Sequence, residues 1–123
     1  MPTRMTGYQD VPAWTTADGS LIRELMHPTR HAVQHQSLAE STVMPGAQTR
    51  LHKHHRSEEI YHITQGQGRM TLGREIFDIG PGDTVCIPPG VPHRVANSGT
   101  VELRILCACA PAYSHADTEL LDE

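Results

Sequence analysis

Apolar residues gather in short runs along the chain: Leu21–Met26, Leu38–Val43, Ile60–Ile63, Met70–Leu72, Ile76–Ile79, Val85–Ile87, Val91–Val95 and Val101–Cys109. They lack the recurrence every three to four residues that marks an amphipathic helix. Turn-forming groups separate nearly all of them: Pro45-Gly46, Gly66-Gln67-Gly68, Gly73-Arg74, Gly80-Pro81-Gly82, Pro88-Pro89-Gly90 and Asn97-Ser98-Gly99. Short strands punctuated in this way predict an all-β sandwich or barrel. One segment, Pro28–Gln36, has a helical alternative in which His27, His31 and His35 share a face at a spacing that can bind metal. No carboxylate or thiol accompanies them at ligand spacing, so the segment reads as a solvated turn.

Alternation within the runs assigns faces. Glu59, Tyr61 and Ile63 point one way, and Glu58 and His62 the other. In the last run Leu103, Ile105, Cys107 and Cys109 share a face and read as packed small hydrophobic residues. Gly46, Gly66, Gly82 and Gly90 read as turn positions, and Asn97 as the residue whose side chain caps the turn that follows it.

A chain of 123 residues is one domain in size. We divide it into an arm (1–20) of weak periodicity, a β-barrel domain (21–115) and an acidic tail (116–123). The arm, with the single Trp14, can dock on its own domain or on a second subunit. A barrel this small exposes apolar surface, so a homodimer is expected. Net charge is −4, with Asp117, Glu119, Asp122 and Glu123 in the tail; a near-neutral body lacks the basic footprint of a nucleic-acid binder. No apolar stretch approaches a membrane span or a signal-peptide core, which predicts a cytoplasmic protein with no membrane partner. Three cysteines with no CxxC pair predict reduced thiols.

The chemistry concentrates between Gly46 and Asn97. His52 and His54 are two apart, so on a strand both imidazoles face one ion. Glu59 opens the next run and His93 follows the stiff segment Pro88-Pro89-Gly90-Val91-Pro92, so three imidazoles and a carboxylate can converge. Those donors suit Mn, Fe, Co, Ni, Cu or Zn. Gln48 and Arg50 would share the inward face with the histidines, where Arg50 could clamp a carboxylate; it could equally reach solvent or pair with an acid. Tyr61 is either a proton donor at the site or a core aromatic with a satisfied hydroxyl.

At these residues the sequence resembles the cupin superfamily. Gly46, His52, His54, Glu59 and Gly66 match its first motif, G-x5-H-x-H-x3,4-E-x6-G, and Gly82, Pro88, Gly90, His93 and Asn97 match its second, G-x5-P-x-G-x2-H-x3-N. The shorter spacing of the first motif would select Glu58, but the distance to Gly66 selects Glu59. The resemblance implies a small jelly-roll β-barrel, with metal ligands His52, His54, Glu59 and His93, and Mn or Fe favoured over Ni, Co, Zn or Cu. It further implies a metal-dependent enzyme, of dioxygenase, isomerase, decarboxylase or lyase type; we expect it to act on a small oxygen-rich or carboxylated molecule, with Arg50 and Tyr61, placed by strand alternation, as catalytic candidates. A non-catalytic binding or sensing module and a purely structural metal are the competing expectations.

Overall fold

A computed structural model describes residues 3–16 and 18–122 of the chain. The strands are β1 (Ala13–Thr15), β2 (Leu21–Met26), β3 (Ser37–Val43), β4 (His52–His54), β5 (Glu58–Gln65), β6 (Gly68–Leu72), β7 (Glu75–Ile79), β8 (Thr84–Ile87), β9 (His93–Asn97), β10 (Leu103–Ala110) and β11 (Thr118–Leu120). They form two antiparallel sheets, ordered β1-β2-β3-β10-β5-β8 and β11-β4-β9-β6-β7, the all-β barrel expected from the runs of apolar residues.

Alternation is strict where the sheets face each other. β5 alternates from exposed Glu58 through buried Glu59, Tyr61 and Ile63, and β10 buries Leu103, Ile105, Cys107 and Cys109. Val43, Ile63, Met70, Val95, Leu103 and Ile105 are part of the apolar core. Because the strands are antiparallel, their apolar ends meet at one end of the barrel and their polar or small inward residues meet at the other. Cys109 is registered against Ser37 and Glu59, and Cys107 against Ala39 and Tyr61. β3 presents only Ser37, Ala39 and Ser41 at this end, and the small side chains leave room inside.

The turns follow the chemistry of their residues. Gly66 sits at φ +87°, and a Cβ there would meet the Glu102 carbonyl oxygen at 2.7 Å, so the β5–β6 turn needs glycine for both backbone and space. Asn97 does more than cap a turn. Its Oδ1 accepts from the Gly99 amide at 2.9 Å, while its Nδ2 donates to the carbonyls of Val43 (2.9 Å) and Val101 (2.8 Å).

Two segments outside the expected barrel contain strands that the sequence reading did not assign. The arm adds β1 to its own sheet, pairing Trp14 with Ile22, so its apolar residue serves the same chain. The segment read as an acidic tail contains β11, which pairs with β4 through Thr118↔His54 and Leu120↔His52; Glu123 lies outside the described residues. Both strands are three residues long, too short for a periodic signal. Residues 28–36 form no helix, as expected, but His27 is buried rather than solvated, with Nε2 2.7 Å from the Tyr113 carbonyl oxygen.

Candidate metal centre

The side chains of His52, His54, Glu59 and His93 converge at the polar end of the barrel. They come from β4, β5 and β9, and His52 is registered directly against His93. The imidazole nitrogens of His52, His54 and His93 lie within 4.8 Å of one another, an arrangement that can hold a metal ion. Glu59 Oε1 is 3.2 Å from His54 Nε2 and 3.5 Å from His93 Nε2. Glu58, the other carboxyl weighed from the motif spacing, is exposed on the outer face.

Each histidine is oriented from behind. Nδ1 of His52 lies 2.8 Å from the Arg50 carbonyl oxygen, Nδ1 of His54 2.9 Å from Thr118 Oγ1, and Nδ1 of His93 3.0 Å from the Val91 carbonyl oxygen. With Nδ1 engaged, Nε2 of each ring is the atom left for an ion, the usual arrangement of ligating histidines. Glu59 is held in the same way, because Cys109 Sγ donates to its Oε2 at 3.3 Å and Oε1 is left facing the imidazoles. Among the described residues, the buried atoms Glu59 Oε1 and His93 Nε2 have no hydrogen-bond partner. An unpartnered buried acceptor and an unpartnered imidazole nitrogen 3.5 Å apart fit a cation between them.

Electrostatics favour the ligating forms. Burial, with His93 close by, pushes the His52 pKa down, so the ring is neutral at lower pH than an ordinary histidine. Burial alone would raise the Glu59 carboxyl, but the imidazoles of His54 and His93 beside it hold it down to about 2. The Tyr61 phenol and the Cys107 and Cys109 thiols are pushed up by burial and stay protonated. These directions set a pH dependence for the metal-free protein. Depressed pKa values mean that the unfolded chain takes up protons first, so stability falls as pH drops. We expect the urea midpoint of chelated protein to begin falling below the ordinary histidine pKa of about 6.5 through His52. Below pH 4.5 it falls again through Glu59, joined by Asp117 and Asp122, whose carboxyls are also held down by backbone N–H groups. His52→Gln should flatten the upper part of the curve; an unchanged upper part would contradict the assignment.

Beside the cluster lies a cavity of about 80 Å³ lined by Trp14, Asp18, Glu24, Ser37, Ser41, Tyr61, Tyr113 and Thr118 among others. Tyr61 belongs to the apolar core and also lines the cavity, its ring 6.0 Å from that of His93. Arg50 does not line it. Its guanidinium is bound to Asp122, with Nε 3.2 Å from Oδ1 and a second nitrogen 2.6 Å from the carbonyl oxygen, so of the two readings the pairing with an acid is formed and the inward clamp is not. The cause is local. β4 begins only at His52, and strand alternation does not extend back to Arg50. Sequence reasoning also passed over Thr118, Cys109 as the support of Glu59, and the arm residues Trp14 and Asp18. A threonine in an acidic stretch and a strand of three residues carry no motif, so only the alternation that placed Cys109 inward pointed this way.

The family profile described as Cupin domain matches residues 39–109 of the chain. An uncharacterized protein of Methanocaldococcus jannaschii is 51% identical over 117 residues, covering 95% of this chain and 94% of its own length. Protein SchB of Streptomyces halstedii is 31% identical over 125 residues, covering 98% and 90%. Among solved structures, that of the Streptomyces protein Pac13 with uridine superposes with a TM-score of 0.80 at 17% identity, over 98% of this chain and 92% of that one. Pac13 is described as a nucleoside dehydratase, and at this identity the likeness concerns the fold. No helix among the described residues is long and apolar enough to cross a membrane.

Proposed function

The chain belongs to the cupin family, and on that premise we propose that it is a metal-dependent enzyme. In this reading His52, His54, Glu59 and His93 hold one divalent transition-metal ion, and the substrate is a small molecule admitted to the adjoining cavity. The carrying observation is the pair of buried atoms, Glu59 Oε1 and His93 Nε2, that face each other 3.5 Å apart with no hydrogen-bond partner among the described residues. Three imidazoles and one carboxylate, with Cys109 turned to Glu59, suit Mn or Fe and also accept Ni, Co, Zn or Cu. Such an ion, when bound, supplies a Lewis acid at the inner wall of the cavity.

The chain's own residues do the rest. Tyr61, kept protonated by burial, is the hydrogen-bond donor to the substrate in this reading. Arg50 acts through its backbone carbonyl, which orients His52, rather than as an anion clamp. Thr118 positions His54, so Thr118→Val should weaken metal affinity by roughly 10–100-fold with little change in melting temperature of the chelated protein. Competition with a fluorescent chelator measures this, and unchanged affinity would remove Thr118 from the centre. We extend the proposal to a homodimer, supported by the exposed Ile76 on the edge strand β7 and by exposed Val101.

The test is elemental analysis of tag-free protein grown with Mn, Fe, Ni and Zn supplied separately, beside Glu59→Ala. Near one metal per chain, sharply reduced in the variant, supports the reading. Wild type free of metal under every condition overturns it. Persistent ligand binding without turnover by the metal-loaded protein would select a binding module instead.

A further inference from the structure

The cavity beside the cluster carries the wrong charge for an anionic ligand. Three carboxyl side chains, Asp18, Glu24 and Glu59, line it, and among the described residues no lysine or arginine does. Arg50, the cation that strand alternation would turn inward, is bound to Asp122 instead. A divalent ion set against Glu59 alone would leave a net positive centre; Asp18 and Glu24 reverse that sign.

These two carboxylates are placed for recognition. Asp18 Oδ1 accepts from Thr16 Oγ1 (2.6 Å), the Ser20 amide (3.0 Å) and Ser20 Oγ (2.7 Å), which fixes the side chain. Its Oδ2 is thereby turned toward His52 Nε2, 3.9 Å away. Glu24 is on β2, registered against Ala39, whose small side chain leaves the carboxylate room. Trp14 pairs with Ile22 and its indole lines the cavity, with the Arg30 guanidinium over its ring at 5.4 Å from the centroid. The acidic pair does not stand alone as an indication of a ligand. Glu59, 5% exposed and lining the same cavity, has an Oε1 with no hydrogen-bond partner, as does His93 Nε2 at 0% exposure.

Resting on the metal-centre reading above, we propose that the cavity takes an uncharged polyhydroxyl molecule, a polyol or sugar, whose hydroxyls donate to Asp18 and Glu24 and whose C–H face lies on Trp14. The same two carboxylates exclude the carboxylate-bearing analogue. Hydrogen bonds from hydroxyl to carboxylate are charge-assisted and strong. A second anion brought within about 5 Å of a fixed carboxylate, at the effective dielectric of a partly buried site, is disfavoured on the order of a hundredfold. Of the two substrate kinds that the sequence left open, oxygen-rich and carboxylated, the cavity therefore selects the uncharged one. Asp18 and Glu24 are the residues that make the choice.

Trp14 is the single tryptophan of the chain and lines the cavity, so its fluorescence reports occupancy. Zinc-loaded protein is titrated with neutral polyols and aldoses of four to six carbons, and with the aldonates and uronates of the same skeletons. Metal content is measured on the same samples. The expected result is saturable binding of at least one neutral member, with its acid counterpart weaker by roughly 30–100-fold. Glu24→Gln and Asp18→Asn keep shape and acceptor oxygens, and each should weaken the neutral ligand about tenfold while narrowing or abolishing discrimination against the acid. Acid analogues binding as tightly as neutral ones, or no neutral member binding, overturns the inference. If either result comes from protein holding one zinc per chain, the metal-centre reading survives; if zinc is absent, it is that reading which has failed.

Discussion

Stripping metal from the protein with a chelator is expected to lower its melting temperature by about 15 °C, and His93→Ala to abolish the difference between the chelated and metal-supplied forms. The expectation follows from what the barrel encloses. His93 is fully buried and Glu59 nearly so, and the facing atoms of the two have no hydrogen-bond partner among the described residues. Without a cation, that end of the core carries desolvated groups whose facing atoms have no hydrogen bond to offset the loss of water. An ion that binds only the folded chain stabilises it by about 4 kcal/mol at a thousandfold excess over Kd, which for a domain of this size corresponds to the stated shift. His93→Ala lowers the melting temperature on its own account, because it opens space at a buried position. The diagnostic quantity is therefore the metal-dependent difference measured within each variant. A wild-type protein that melts at one temperature with and without metal, or a His93→Ala protein that keeps the full response, would contradict the proposed ligand set.

The second large effect concerns a residue far from any chemistry. Asn97→Ala is expected to destabilise the protein by about 3 kcal/mol, near 10 °C in melting temperature. Asn97 is 6% exposed and its three hydrogen bonds join the end of β3, the end of β9 and the turn leading to β10. Removing the side chain leaves the carbonyl of Val43, itself 3% exposed, without its donor in a place water does not reach. The choice of amide is tested by Asn97→Asp. The carboxylate can still accept from the Gly99 amide, but it cannot donate to two carbonyl oxygens and would sit against them as a like-signed charge. Denaturant unfolding should find it no more stable than Asn97→Ala. Recovery of wild-type stability in the aspartate variant would mean that the turn contact alone matters.

Much of the architecture was legible without coordinates, for a local reason. The period of a strand is two residues, so alternation along β5 and β10 assigned Glu59, Tyr61, Cys107 and Cys109 to the buried face directly. Glycines and prolines marked the turns, and Gly46, Gly66, Gly82 and Gly90 all adopt positive φ. The spacing of His52 and His54, and the motif positions of Glu59 and His93, placed four candidate donors in one neighbourhood because motif and strand pattern are both short-range quantities.

Arg50 marks where that reasoning stops. Alternation holds only while a strand continues, and at Arg50 it does not, so the side chain turns to Asp122 instead of the cavity. The partners of the site lie farther still along the chain. Thr118 meets His54 across 64 residues and Cys109 meets Glu59 across 50. Trp14 and Asp18 reach the cavity from the arm. Sequence by itself determined the strands, their buried faces and the candidate donor atoms, since these follow from the residues' own types and spacing. Tertiary structure decided which groups stand behind those donors, which charges line the cavity and where Arg50 points, because those depend on strand register between segments that no local period connects.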